Sequence, residues 1–165
     1  MLHIVQADTQ ETIAQAVSLF REYAASLSVD LAFQNFEREL AELPGEYAPP
    51  EGRLLLAFLS ESEKMLSSTQ RHAAGCVALR KMDTTSCEMK RLYLRPESRG
   101  HGVGRALAEI VIKTAREIGY QKMCLDTLPE MAGAQILYQS LGFREIPPYR
   151  FNPIAGTRYL ELTLS

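Results

Sequence analysis

Apolar residues along this chain fall into two spacings, short continuous runs and helical repeats. Leu2 to Ala7 is a short run that predicts a first strand. Asp8 or Thr9 can cap a helix from Gln10 to Leu27, with Ile13, Val17, Phe20 and Ala24 on one face. A shorter helix is expected over Phe33 to Leu43, stopped by Pro44-Gly45. Glu46 to Gly52, with Pro49-Pro50, reads as a loop, and Leu54 to Leu59 as a second strand. Ser60 to Arg71 is polar and serine-rich, which predicts a long exposed loop. Ala73 to Arg80 and Cys87 to Leu94 predict two further strands around a turn at Asp83-Thr84-Thr85.

The second half alternates differently. Val103, Leu107, Ile110, Val111, Thr114 and Ile118 recur at helical spacing, and Gly119 supplies a C-terminal stop. Lys122 to Asp126 has the character of a buried strand. Glu130 to Leu141 predicts a helix ending at Gly142, and Phe143 to Ile146 and Thr157 to Leu164 predict the closing strands. The order is strand, two helices, three strands, helix, strand, helix, two strands. That is an α/β domain with a mixed sheet, and no repeat or linker divides it.

Composition narrows the class. The chain has 165 residues, within the usual span of one domain, so residues 1–165 are expected to form a single unit. Its apolar fraction of 46% supports a sizeable core, and a formal charge of -2 gives no field for nucleic acid. Cys76, Cys87 and Cys124 are odd in number and widely spaced, which argues against a disulfide framework or a metal site. A reducing, cytoplasmic setting is expected. No apolar stretch approaches the length of a membrane span, and no secretory signal opens the chain.

Gly100, Gly102 and Gly104 lie between a predicted strand and an amphipathic helix. Alternate glycines there let the backbone approach a ligand closely. Helix-start amides lack intrahelical acceptors and face the positive end of the helix dipole, so a diphosphate is a natural guest. Arg99 and Arg105 add positive charge. A Walker A loop would need Gly-Lys-Ser/Thr where Gly104-Arg105-Ala106 stands. A dinucleotide fingerprint spaces its glycines differently and has no arginine at position 105.

The run Arg91-Leu92-Tyr93-Leu94-Arg95-Pro96-Glu97-Ser98-Arg99-Gly100-His101-Gly102-Val103-Gly104-Arg105-Ala106-Leu107 resembles the signature of the GCN5-related N-acetyltransferase (GNAT) family. Arg99, Gly102 and Gly104 match its Arg/Gln-x-x-Gly-x-Gly/Ala positions. Downstream, Ala134-Gln135-Ile136-Leu137-Tyr138-Gln139-Ser140-Leu141-Gly142-Phe143 is similar to the family's Ala-x-x-Leu-Tyr-x-x-x-Gly-Phe segment. The resemblance implies a single-domain GNAT-like acyl-CoA N-acyltransferase fold. In that fold a mixed central sheet carries helices on both faces and contains a splayed parallel strand pair, here Glu88 to Leu94 and Lys122 to Asp126.

The resemblance also implies the chemistry. Acetyl-CoA would lie in the splay as cosubstrate, its pantetheine arm against the backbone of Leu92, Tyr93 and Leu94. Its pyrophosphate would sit on the amides of Gly100, His101, Gly102, Val103, Gly104 and Arg105, beside Arg99. An amine would then attack the thioester directly, with no metal and no acyl-enzyme. Tyr138 aligns with a tyrosine that many members place near the CoA sulfur, as proton donor to the leaving thiolate; the alternative is a core aromatic on the helix face shared with Ala134, Leu137 and Leu141. Glu88 is the candidate base, on the face shared with Lys90, Leu92 and Leu94 unless a bulge intervenes, or else a salt-bridged strand residue. Asp126 is a second carboxylate near the acceptor side. Met131 stands where many members carry an asparagine that contacts CoA, so one such contact is lost or replaced.

Two hints about the acceptor disagree. Asp30, Glu37, Glu39, Glu42, Glu46 and Glu51 make the region around the second helix acidic, which favours a cationic amine. Arg144, Arg150 and Arg158 instead flank Tyr149 and Asn152, and an arginine can hold a carboxylate by paired hydrogen bonds. Tyr149 and Asn152 are candidate pocket residues. The expected partners are acetyl-CoA and a primary amine of a small molecule or amino acid. A protein lysine or N-terminal acceptor, and a non-catalytic acyl-CoA-binding module, stay open as alternatives. Homodimers are common in the family, and no segment here establishes one.

Overall fold

The computed structural model describes residues 1–27, 30–31, 35–60 and 72–164. The loop expected after Ser60 and the expected helix start at Phe33 lie outside these residues. Strands β1 (Leu2–Gln6), β2 (Arg53–Leu59), β3 (Gly75–Lys81), β4 (Ser86–Leu94), β5 (Lys122–Thr127), β6 (Arg144–Ile146) and β7 (Arg158–Thr163) form one sheet. Helices α1 (Gln10–Ser26), α2 (Phe36–Glu42), α3 (Val103–Ile118) and α4 (Ala132–Ser140) complete the described elements. Strand order is β1-β2-β3-β4-β5-β7-β6, and only the β4–β5 pair is parallel.

Local chemistry explains the helix starts. Thr9 caps α1 reciprocally with Thr12, each hydroxyl accepting the other residue's N–H, at 3.1 and 3.0 Å. The continuous apolar runs of β2 and β3 follow from burial on both faces. Leu54, Leu56 and Ala78 meet Leu19, Phe20, Phe36 and Leu40 of α1 and α2. Leu55, Val77 and Leu79 meet Leu107, Val111 and Ala115 of α3 on the other face. The buried stripe of α3 is rotated from the expected one. Ala108 and Ala115 face the sheet, where their small size allows close packing, and Ile110 is turned outward. Helix α4 begins at Ala132 rather than Glu130, because a turn closes first, Met131 N–H to the Leu128 carbonyl.

Strand β4 contains the feature that positions the site. Cys76 pairs with Tyr93 and Ala78 with Lys90, so one residue of β3 faces two of β4. Arg91 takes a left-handed φ of 60° at this bulge. The bulge flips the alternation of the strand. Glu88 and Lys90 face the α1–α2 side together with Arg91 and Tyr93, while Leu92 and Leu94 pack toward α3. The face shared by Glu88 with Leu92 and Leu94, expected from simple alternation, is therefore corrected. Pairing of β4 with β5 covers only Ser86–Glu88 against Lys122–Cys124, and both strands continue beyond it with other partners. From Met89 onward the parallel strands fork.

Candidate active site

The glycine turn stands at the outer end of the fork. Gly100 and Gly102 have φ of 83° and 75°, and a Cβ on either would meet nothing within 4 Å. Their glycines answer a left-handed backbone, and the surface beside them is open to a ligand. Gly102 is the N-cap of α3, whose first backbone bond runs from Ala106 N–H to the Gly102 carbonyl at 3.1 Å. The N–H groups of Val103, Gly104 and Arg105 therefore lack intrahelical acceptors. A cleft of about 580 Å³ runs from here along Leu92, Tyr93 and Leu94 on one wall and the start of α4 on the other. An anion cradle, a forked strand edge and a long cleft together fit a pyrophosphate joined to an extended arm.

The predicted cradle residues divide into distinct placements. Arg99, Gly100 and Gly104 line the cleft, whereas His101 and Gly102 are exposed on the turn and the Val103 side chain is buried beneath it. Arg99 donates Nε and Nη2 to the Leu94 carbonyl at 3.1 and 3.0 Å and so closes the link from β4. Arg105 donates to Ser140 at 2.5 Å and tethers α3 to α4. Met131 lines both the cleft and the fork, so an apolar side chain occupies that wall.

A small cavity of about 30 Å³ marks the inner end of the fork, lined by Tyr23, Lys90, Asp126, Met131, Tyr138 and Asn152 among others. Tyr138 is buried edge-on to Phe143, and among the described residues its hydroxyl has no hydrogen-bond partner. Burial, reinforced by Tyr23 and Asp126, pushes its pKa above the ordinary tyrosine value. It stays protonated at neutral pH. Asn152 lies 3.5 Å from an Asp126 carboxylate oxygen, a weak contact.

A second cavity, of about 400 Å³, opens on the α2 side and reaches Arg80, Lys90, Arg150 and Phe151. Lys90 is the one residue that lines both this cavity and the fork cavity. Glu88 lies fully buried beneath it. One Glu88 oxygen accepts from Arg80 Nε at 2.8 Å, and the other accepts from the Tyr149 hydroxyl at 2.6 Å and from Arg150. Burial alone would raise the Glu88 pKa, but Lys90, Arg80, Arg150 and the Tyr149 hydrogen bond outweigh it, and the net shift is downward. A carboxylate so held is a poor proton acceptor. Lys90 is also lowered, which for an amine favours the neutral form: burial first, then Arg91, Arg80 and Arg150, bring it to about 8 against the opposing pull of Glu88. Glu39 of α2 also faces it.

Three contributors were not singled out in advance. Tyr23 projects from α1 to the cleft and the fork cavity alike, with the Arg91 guanidinium 5.9 Å from its ring. Its signal was a tyrosine three residues after Phe20 on the apolar side of α1. Arg91 is paired with Glu39 at 2.9 Å, and Glu39 also accepts from Tyr47 at 2.8 Å. Lys90, like Glu88, was legible as a charge inside an otherwise buried strand. The three cysteines are inert by burial, which pushes Cys76 and Cys87 up to about 12 and Cys124 to about 11. Among the described residues no His, Cys, Asp and Glu group could hold a metal ion, and no helix is long and apolar enough to cross a membrane.

Known proteins share this family pattern and fold. The sequence pattern of the Acetyltransferase (GNAT) family matches residues 17–143. An uncharacterised N-acetyltransferase of Schizosaccharomyces pombe is 40% identical over 148 residues, covering 89% of this chain and 85% of that protein. A GNAT-family acetyltransferase structure from Staphylococcus aureus superposes with a TM-score of 0.78 at 19% identity, covering 100% of both chains. A Salmonella typhimurium structure solved with its cofactor acetyl-CoA superposes with a TM-score of 0.62 at 19% identity, over 100% of this chain and 95% of that one.

Proposed function

Because this chain belongs to the GNAT acetyltransferase family and is an N-acetyltransferase, we propose that it carries an acetyl group directly from acetyl-CoA to the primary amine of a small molecule or amino acid. One observation carries the reading. The small cavity at the fork between β4 and β5, lined by Tyr138, shares Tyr23, Leu92 and Met131 with the cleft and Lys90 with the α2-side cavity.

The cleft beside the glycine turn suits acetyl-CoA, with the amides from Gly100 to Arg105 toward pyrophosphate and the strand edge at Leu92, Tyr93 and Leu94 toward the pantetheine arm. Acetyl-CoA supplies an activated thioester at the inner end of the fork. The α2-side cavity, of about 400 Å³, is of a size to take a small acceptor. In the transfer a C–N bond forms and the C–S bond breaks, so one proton must leave the attacking nitrogen and one must reach sulfur. Tyr138, held protonated by burial, donates to sulfur. Lys90, lowered to about 8 and lining both cavities, receives the proton from nitrogen. Glu88 keeps Arg80, Tyr149 and Arg150 in position.

Thiol release from acetyl-CoA, measured over a panel of amines and amino acids, tests the reading. Tyr138→Phe should lower kcat on the order of 100-fold while CoA affinity stays within a few-fold. Wild-type protein that binds CoA but releases no thiol with any small amine would reject the proposal.

A further inference from the structure

The charge around the acceptor cavity is not what the sequence suggests. The acidic side chains around α2 are neutralised locally: Glu37 by Arg21 at 3.1 Å, Glu39 by Arg91 at 2.9 Å, and Glu42 by Arg38 at 2.9 Å. Glu46 is paired with Arg80 and Glu51 with Lys81, both at 2.8 Å. An acidic attraction for a cationic amine therefore has little left to act with. Basic side chains also line the cavity. There Arg80, Lys90 and Arg150 surround the buried carboxylate of Glu88, and Glu46 at the rim is mostly exposed to solvent.

Arg150 is the side chain with capacity to spare. It meets Glu88 through Nη2, and its guanidinium lies 5.1 Å from the centre of the Tyr149 ring. Nε and Nη1 donate to no protein group among the described residues, and Arg150 lines the cavity. The buried Glu88 and the Tyr149 ring hold the guanidinium in one orientation before anything binds. A guanidinium so fixed can present two parallel N–H donors, the pattern that matches a carboxylate. The other two arginines near this segment do not compete for the role. Arg158 is paired with Glu145 of β6 and Gln135 of α4, and Arg144 lies on the exposed edge strand β6.

We propose that the acceptor is an amine that also bears a carboxylate, such as an amino acid, and that Arg150 on its Glu88–Tyr149 platform binds that carboxylate. This rests on the acetyltransferase reading above. The carboxylate docks on the outer side of the α2-side cavity, and the amine extends past Lys90 to the fork. Loss of a charge-assisted pair of hydrogen bonds, when the acid is replaced by its amide, predicts a fall in kcat/KM of about 10- to 100-fold.

The test compares free amino acids, their carboxamides and the corresponding decarboxylated amines as acceptors in the thiol-release assay. Acids should exceed both carboxylate-free series by about 10-fold or more, mainly through KM. Arg150→Gln should bring the ratio of acid to amide toward one. Arg150→Lys keeps the charge without the planar fork, and should leave an intermediate ratio even if the glutamine variant folds poorly. Amides and plain amines used as well as acids by the wild type would overturn this inference alone. So would a ratio unchanged in both variants. No thiol release with any acceptor would instead overturn the underlying acetyltransferase reading.

Discussion

Glu88→Gln separates a carboxylate that organises the site from one that takes a proton. The residue is fully buried and touches two guanidiniums and a phenol. Glutamine has nearly the same shape but turns an NH₂ group toward donors and removes the charge that balances Arg80 and Arg150. Breaking a buried pair by removing one partner typically costs about 3–5 kcal/mol. Both arginine side chains retain about a quarter of their exposure, so water offsets part of that loss. A destabilisation of about 2–3 kcal/mol is therefore expected. For a chain of this size that lowers Tm by roughly 5–10 °C.

The pH dependence carries the sign. Because the Glu88 pKa is lowered in the folded protein, its stabilisation is present above the ordinary carboxylate range and disappears as pH falls through the lowered pKa. Wild-type Tm should thus fall on acidification more steeply than Tm of the variant. Calorimetric melts from neutral pH downward, with acceptor kinetics at neutral pH, provide the assay. The expected kinetic result is a raised acceptor KM with a smaller change in kcat. A variant that melts like wild type, yet loses kcat 100-fold or more at unchanged acceptor KM, would refute the reasoning and make Glu88 the base.

The remaining predictions concern the fork and the cradle. Wild type should show a rise of kcat/KM as pH passes through about 8 in pH–rate profiles, and Lys90→Met should remove it; a rise kept by the variant assigns the proton to another group. Gly102→Ala must place a Cβ in the left-handed region, at a cost of about 1 kcal/mol. Titration calorimetry should show CoA binding weakened about five-fold, and unchanged affinity would remove the turn from the CoA site.

Much of the framework was legible because burial writes itself into spacing. The two-sided runs of β2 and β3, the glycine stop of α3 and the strand–turn–helix around Gly102 all follow from local chemistry. The site was less legible, because its contacts join distant residues. Glu88 was identifiable as an unusual charge in a buried strand, but its partners Tyr149 and Arg150 come from the segment before β7, more than 60 positions away. The left-handed Arg91 was hidden because no glycine marks the bulge, and period-two alternation then put Glu88 on the wrong side of Leu92 and Leu94. The acids around α2 looked like a field. Their basic partners, up to 52 residues distant, made them a set of neutral pairs.

The central claim is direct passage of an acetyl group across the β4–β5 fork. Mass spectrometry of a reaction containing the protein, acetyl-CoA and a free amino acid tests it most directly. N-acetylated amino acid and an unmodified chain are expected, with no product when Tyr138→Phe and Lys90→Met are combined. Acetyl groups found on the chain itself, on a time course that precedes product, would contradict direct transfer. So would CoA consumed without any acetylated amine.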